Sequence, residues 1–170
     1  CHFMDLVHWA LDLRAPTKIS AEGPPVDPVC PPEWCIVRYE YPARGEKPPV
    51  KLTWYDSGKR PPILDEVHQA LPKNEGGRQT EFPSGQLFIG EKGMLISDYG
   101  RHFLVAEGKT FTHNYQGPRI PPSIGHHKEW VEACKNGGNT TCNFDYAGAL
   151  TEAVLLGAVA YKSGEALEWD

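Results

Sequence analysis

His2 and Asp5 stand one helical turn apart at the head of the sequence and can interact along a helix. A neutral imidazole accepts a proton near pH 7, so His2 is a candidate general acid or base. The plainer reading is a polar helix end facing solvent. His126 and His127 open a second helical pattern, where they either face a cleft as binding groups or serve packing, His127 lying close to the apolar stripe. Tyr55, Lys59 and Arg60 lie where a strand gives way to a long loop. Their hydroxyl and cationic groups suit sugar hydroxyls or a carboxylate, although a solvated loop uses the same residue types.

Other chemistries find less support. The five cysteines, Cys1, Cys30, Cys35, Cys134 and Cys142, are odd in number and irregularly spaced, and read as reduced thiols. Cys134 falls on an apolar helix face and is expected in the core. Cys142 precedes a helix start, where a thiolate is favoured, but a small residue in a turn is the better reading. Neither C-x-x-C nor H-E-x-x-H spacing occurs, and no metal site is expected. G-x-G-x-x-G, the P-loop pattern and G-x-S-x-G are all absent, so the sequence offers no phosphate-cradling loop of its own and no serine elbow. Asn139-Thr140-Thr141 matches the glycan acceptor pattern, a triplet common by chance. A net charge of −5, with Lys59-Arg60 as the longest basic run, argues against nucleic acid as a partner. No run of about 18 apolar residues exists, which excludes a membrane-spanning helix.

A scaffold must hold these residues, and 170 residues suffice for one domain with a real core. Residues 2–14 read as a helix ended by Pro16. Phe3, Leu6, Val7, Ala10, Leu11 and Leu13 fill one face, Asp5, His8 and Asp12 the other, and His2 sits near the boundary. Residues 17–24 predict a strand, and five prolines make 24–33 a loop. In 34–41, Cys35, Val37, Tyr39 and Tyr41 alternate with Ile36, Arg38 and Glu40; in 50–55, Val50, Leu52 and Trp54 share a face, predicting a hairpin. Residues 56–84 are expected to be one long irregular stretch. Two strands flank Gly90-Glu91-Lys92-Gly93 within 86–98, and another covers 102–106. Helices follow at 126–136 and 145–162. The second is apolar almost all round and expected to be buried, with Asn143 or Asp145 capping its start and Gly164 its end. A short strand at 166–169 closes the chain.

This order predicts an α+β fold: an open, mostly antiparallel β-sheet with helices packed on one face. Strands carrying Trp, Tyr and Val leave the other face for a second copy, as a homodimer or homotetramer. The sequence opens on Cys1 with no polar lead-in, which predicts a chain cut from something longer.

Cys1-His2-Phe3-Met4-Asp5-Leu6 followed by Trp9-Ala10-Leu11 resembles the start of the C-terminal domain in the glucose–fructose oxidoreductase/inositol dehydrogenase/MocA (Gfo/Idh/MocA) family, in its planctomycete-type branch. Similar blocks run from Pro49 to Asp56, Gly90 to Leu95, Ser123 to His127 with Trp130, and Cys142 to Tyr146 with Leu150-Thr151-Glu152-Ala153. The resemblance covers essentially the whole chain. It implies that residues 1–170 form a single substrate-binding and oligomerisation domain, whose N-terminal Rossmann partner lies outside this sequence. The family's active site is a cleft between the two halves, beside a nicotinamide ring. Its D-x-x-x-H-x-x-D histidine corresponds to His2 and its trailing aspartate to Asp5, which holds the helix start or orients neighbours. The leading aspartate and the lysine of an E-K-P motif belong to the part outside this sequence. NAD or NADP is therefore bound mainly by that other half, and this fragment alone is expected to be inactive. The implied activity is oxidation or reduction of a sugar, polyol or related hydroxy compound. An NAD-dependent glycoside hydrolase of the same fold and a non-catalytic dimerisation module are the alternatives. The compartment stays open between the cytoplasm and, given an upstream twin-arginine signal, the periplasm.

Overall fold

A computed structural model describes residues 1–169. The elements run α1 (His2–Leu11), β1 (Lys18–Glu22), β2 (Ile36–Tyr41), β3 (Val50–Tyr55), α2 (Leu64–Ala70), β4 (Gln86–Gly90), β5 (Gly93–Ser97), β6 (His102–Ala106), β7 (Lys109–Phe111), α3 (His126–Asn136), α4 (Phe144–Ser163) and β8 (Leu167–Glu168). The architecture is α+β with open antiparallel sheets, as the sequence order predicts. The strands divide into two four-stranded sheets, ordered β3-β2-β1-β8 and β4-β5-β6-β7.

In the first sheet, alternation sorts the side chains cleanly. Val37, Tyr39 and Tyr41 turn inward, with Trp54, Leu52 and Val50 as their cross-strand partners on β3 and Ile19 opposite Tyr39 on β1. Helices α1 and α4 cover this face and complete the larger core. The opposite face carries Lys18, Arg38, Glu40, Lys51 and Thr53, with Arg38 and Glu22 paired at 2.7 Å. The second sheet has its own core, where Ile96 and Val105 pack with Leu64, Val67 and Leu71 of the α2 region and with Phe82. Its other face is different. Phe88, Leu95, Leu104 and Phe111 lie directly opposite one another across all four strands, and none is buried.

Helix α4 starts where Asn143 Oδ1 accepts the Tyr146 N–H at 3.1 Å, and it ends at Gly164 in the left-handed region. Its inner face (Leu150, Ala153, Leu156, Gly157, Ala160 and Tyr161) lies on the first sheet. A Cβ at Gly157 would stand 2.5 Å from the Tyr39 hydroxyl and 3.1 Å from Val37 Cγ1, so glycine is what allows this close approach.

Several expectations are corrected. Helix α1 ends at Leu11, five residues before Pro16, because Asp12 takes a left-handed cap whose N–H reaches back to His8 and Trp9 carbonyls. The stretch 56–84 contains α2, whose Leu64, Val67 and His68 are buried against the second sheet. Strand β7 follows β6 through a tight turn at Glu107-Gly108. Helix α4 is not buried all round: Leu155 and Val159 are exposed and Phe144 is 94 % exposed. Helix α3 buries no residue, so Cys134 is exposed rather than in the core, and His127 is exposed too.

Replacing Gly157 by Leu is expected to lower stability by about 3 kcal/mol through overpacking against Tyr39 and Val37. Urea unfolding followed by circular dichroism measures it, and an unchanged midpoint contradicts the close approach.

Candidate functional site

Helix α1 is rotated by what it buries. Met4 and His8 point into the core, with Val7 and Leu11 partly buried beside them. His8, read from the sequence as a polar-face residue, is 1 % exposed, and its Nε2 lies 2.9 Å from the Tyr41 hydroxyl. Burial pushes its imidazole down from the ordinary 6.5 to about 4, and the Asp5 charge offsets only part of that. With Met4 and His8 turned in, His2 lies on the exposed side of the first turn.

Three contacts pin that turn. Gln86 Nε2, from the first residue of β4, donates to the Phe3 carbonyl at 3.1 Å, while its buried Oε1 has no protein partner. Tyr146 of α4 donates its hydroxyl to Asp5 Oδ1 at 2.6 Å, also within 3.1 Å of the Asp5 carbonyl. Burial and then this carboxylate push the Tyr146 phenol above its usual range. Tyr99, between β5 and β6, sets its ring at 85° to that of His2, 6.3 Å between centroids, and tilted on Phe3 at 5.5 Å. Arg14 Nη1 adds a bond to the Asp145 carbonyl at 3.1 Å, tying the chain after α1 to the start of α4.

The residues singled out from the sequence are thus distributed unevenly. His2 and Asp5 share this turn, with Asp5 engaged by Tyr146. Tyr55 pairs with Ile36 on the face of the first sheet opposite to α1. Lys59 Nζ stands 4.1 Å from the Trp34 ring centroid, and Arg60 is exposed in the same loop. His126 and His127 lie against each other, ring centroids 4.1 Å apart, at the start of α3. No hydrogen bond or ring contact among the described residues joins these five to His2. Sequence reasoning missed Tyr99, Gln86 and Tyr146; Asp98-Tyr99-Gly100-Arg101 is a legible turn signal, but nothing local says what its apex meets.

Among the described residues, no group of three His, Cys, Asp or Glu side chains is placed to hold a metal ion. Helices α1, α3 and α4 start at Cys1, Gly125 and Asn143, none within a glycine-rich loop, so these starts do not fit the pyrophosphate of a dinucleotide.

No family model and no curated protein matches the chain. Solved structures do match in fold. A Thermotoga maritima protein assigned as an oxidoreductase superposes over 98 % of this chain and 44 % of its own, at 12 % identity and a TM-score of 0.54. An oxidoreductase from Agrobacterium radiobacter, solved in complex with NAD+, L-tartaric acid and magnesium, superposes over 97 % of this chain and 46 % of its own, at 13 % identity and a TM-score of 0.51. At these identities the likeness establishes a shared fold. The chain spans less than half the length of either protein.

The depressed His8 value carries a pH dependence. The unfolded chain binds a proton on His8 below about pH 6.5, while the folded chain resists it until about pH 4. Stability is therefore complete above about 6.5 and falls by about 3 kcal/mol as the pH drops to about 4. Urea midpoints at intervals through this window test it, and His8→Phe should flatten the slope. An identical slope in that variant would assign the acid sensitivity elsewhere.

Proposed function

We propose that this chain is the substrate-binding and assembly half of a nicotinamide-dependent oxidoreductase of the Gfo/Idh/MocA family, acting on a sugar, polyol or related hydroxy compound. The observation that carries the reading is an exposed His2 on a turn fixed from three sides, in a fold that two oxidoreductase structures share over nearly the whole chain. The Agrobacterium enzyme's complex with NAD+ and a hydroxy acid supports the same class of chemistry here.

The imidazole of His2 takes the proton of the substrate hydroxyl as the carbon–hydrogen bond breaks and a carbonyl forms. When bound, the nicotinamide supplies the acceptor for the departing hydride. Asp5 is the positioning partner: its carboxylate is spent on Tyr146, which keeps the first turn of α1 against α4. In this reading the phosphates of NAD or NADP belong to the proposed Rossmann half.

Full-length protein incubated with NAD or NADP and a panel of sugars and polyols should produce reduced nicotinamide absorbance. His2→Ala should lower kcat by about 100-fold or more. Cofactor held tightly without net turnover would favour the NAD-dependent glycosidase alternative, and no cofactor binding would favour a non-catalytic module.

The assembly face in this reading is the second sheet's uncovered row, Phe88-Leu95-Leu104-Phe111, since the first sheet's outer face is charged. The chain should scatter light as a homodimer or larger and Leu104→Asp as the 18.9 kDa monomer. A monomeric wild type contradicts the assignment.

A further inference from the structure

The turn between β5 and β6 is braced far beyond what a connection needs. Asp98 Oδ1 accepts the Gly100 N–H at 2.9 Å and the Arg101 N–H at 2.7 Å, while Oδ2 accepts Arg101 Nε at 3.0 Å and Nη2 at 2.7 Å. Arg101 also donates to the Glu81 carbonyl at 3.3 Å, and its guanidinium lies 4.4 Å from the Phe82 ring centroid. The Gly100 N–H and then the Arg101 guanidinium hold the Asp98 carboxyl below its usual range. A turn tied by several charge-assisted bonds keeps one shape. Yet Tyr99 at its apex is 72 % exposed. A tyrosine that only packed the second sheet on α1 would bury its ring; Tyr99 meets His2 and Phe3 and leaves most of its surface to solvent.

We propose that Tyr99 is a substrate-binding residue, an aromatic platform for the C–H face of a sugar or cyclic polyol whose hydroxyl meets His2. The inference rests on the reading of His2 as proton acceptor. The ring hydrogens of such a compound carry small positive charges and are attracted to the negative face of an aromatic ring. The Tyr99 and His2 rings stand at 85° to each other, so they form a corner rather than a stack. A six-membered ring lying on the platform presents its rim, where its hydroxyls are, toward the imidazole. Preorganisation explains the bracing of Asp98 and Arg101, since a platform that moves loses the alignment it provides.

Steady-state kinetics of the full-length protein test this. Tyr99→Ala should raise KM for the hydroxy compound about ten-fold, with kcat within about three-fold and the KM for cofactor unchanged. Tyr99→Phe, which keeps the ring, should stay within about two-fold of wild type. A KM unmoved in a folded Tyr99→Ala protein overturns the proposal, as does a rise in cofactor KM alone. A second measurement on the wild type needs no turnover. Tetranitromethane nitrates exposed tyrosines, and peptide mass spectrometry reads the Tyr99 site with and without saturating glucose or inositol. Protection without turnover supports the platform and refutes only the oxidoreductase reading. Equal nitration with every compound in the panel overturns the platform.

Discussion

The close seating of α4 on the first sheet places Tyr146, one of the three contacts that hold the turn carrying His2. Glycine at 157, with alanines at 153 and 160, lets the helix lie against Tyr39 and Val37 with no side chain between. The same helix carries Tyr146, one turn from its start, and Tyr146 holds Asp5 of α1. Its far end holds the proline-rich loop, where the Tyr161 hydroxyl donates to the Pro24 carbonyl at 2.9 Å. The register of α4 on the sheet therefore fixes two distant pieces of chain at once. Apolar burial supplies the adhesion, and the hydrogen bonds at the ends choose which neighbours it brings together.

A second constraint turns α1 about its axis. The apolar residues alone predict a buried face centred near Phe3, Val7 and Ala10, with His2 at its edge. The observed centre lies near Met4, Val7, His8 and Leu11, about 100° further round, the angle of one residue. The reason is the buried pair of His8 and Tyr41, a polar contact that hydrophobic periodicity counts against burial. Placing His8 inward moves His2 from the edge of the buried face to nearly the opposite side. One imidazole in the core thereby exposes another, which gives the first a role in the candidate site without any contact to substrate.

What could be read from the sequence divides along the same line. Strand alternation at Val37-Tyr39-Tyr41, the turn at Gly90–Gly93 and the caps of α4 are local patterns, and they appear where expected. Helix α2 was hidden because prolines and glycines on both sides make its seven residues look like loop. The division into two sheets was hidden because alternation reports which way a side chain points and not which strand lies alongside. In the candidate site, His2 and Asp5 were legible through their resemblance to a family motif. Gln86 and Tyr146 reach α1 from 83 and 141 residues away, and no local signal encodes such a contact.

The chain leaves several large apolar residues of its helices open. An α-helix that is apolar all round asks for burial on both sides. Helix α4 is covered on its inner side, leaving Phe144, Leu155 and Val159 in water, and α3 keeps Trp130 65 % exposed. Large apolar residues left in groups of this kind usually belong to an interface. Phe144 stands two residues before Tyr146, so at 100° per residue the exposed side of α4 and the side that holds Asp5 differ by about 200°. In the proposed reading, a Rossmann half covering these residues would bury the open side of α4. That contact would extend to the outer side of the helix the same apolar burial that seats its inner face on the first sheet.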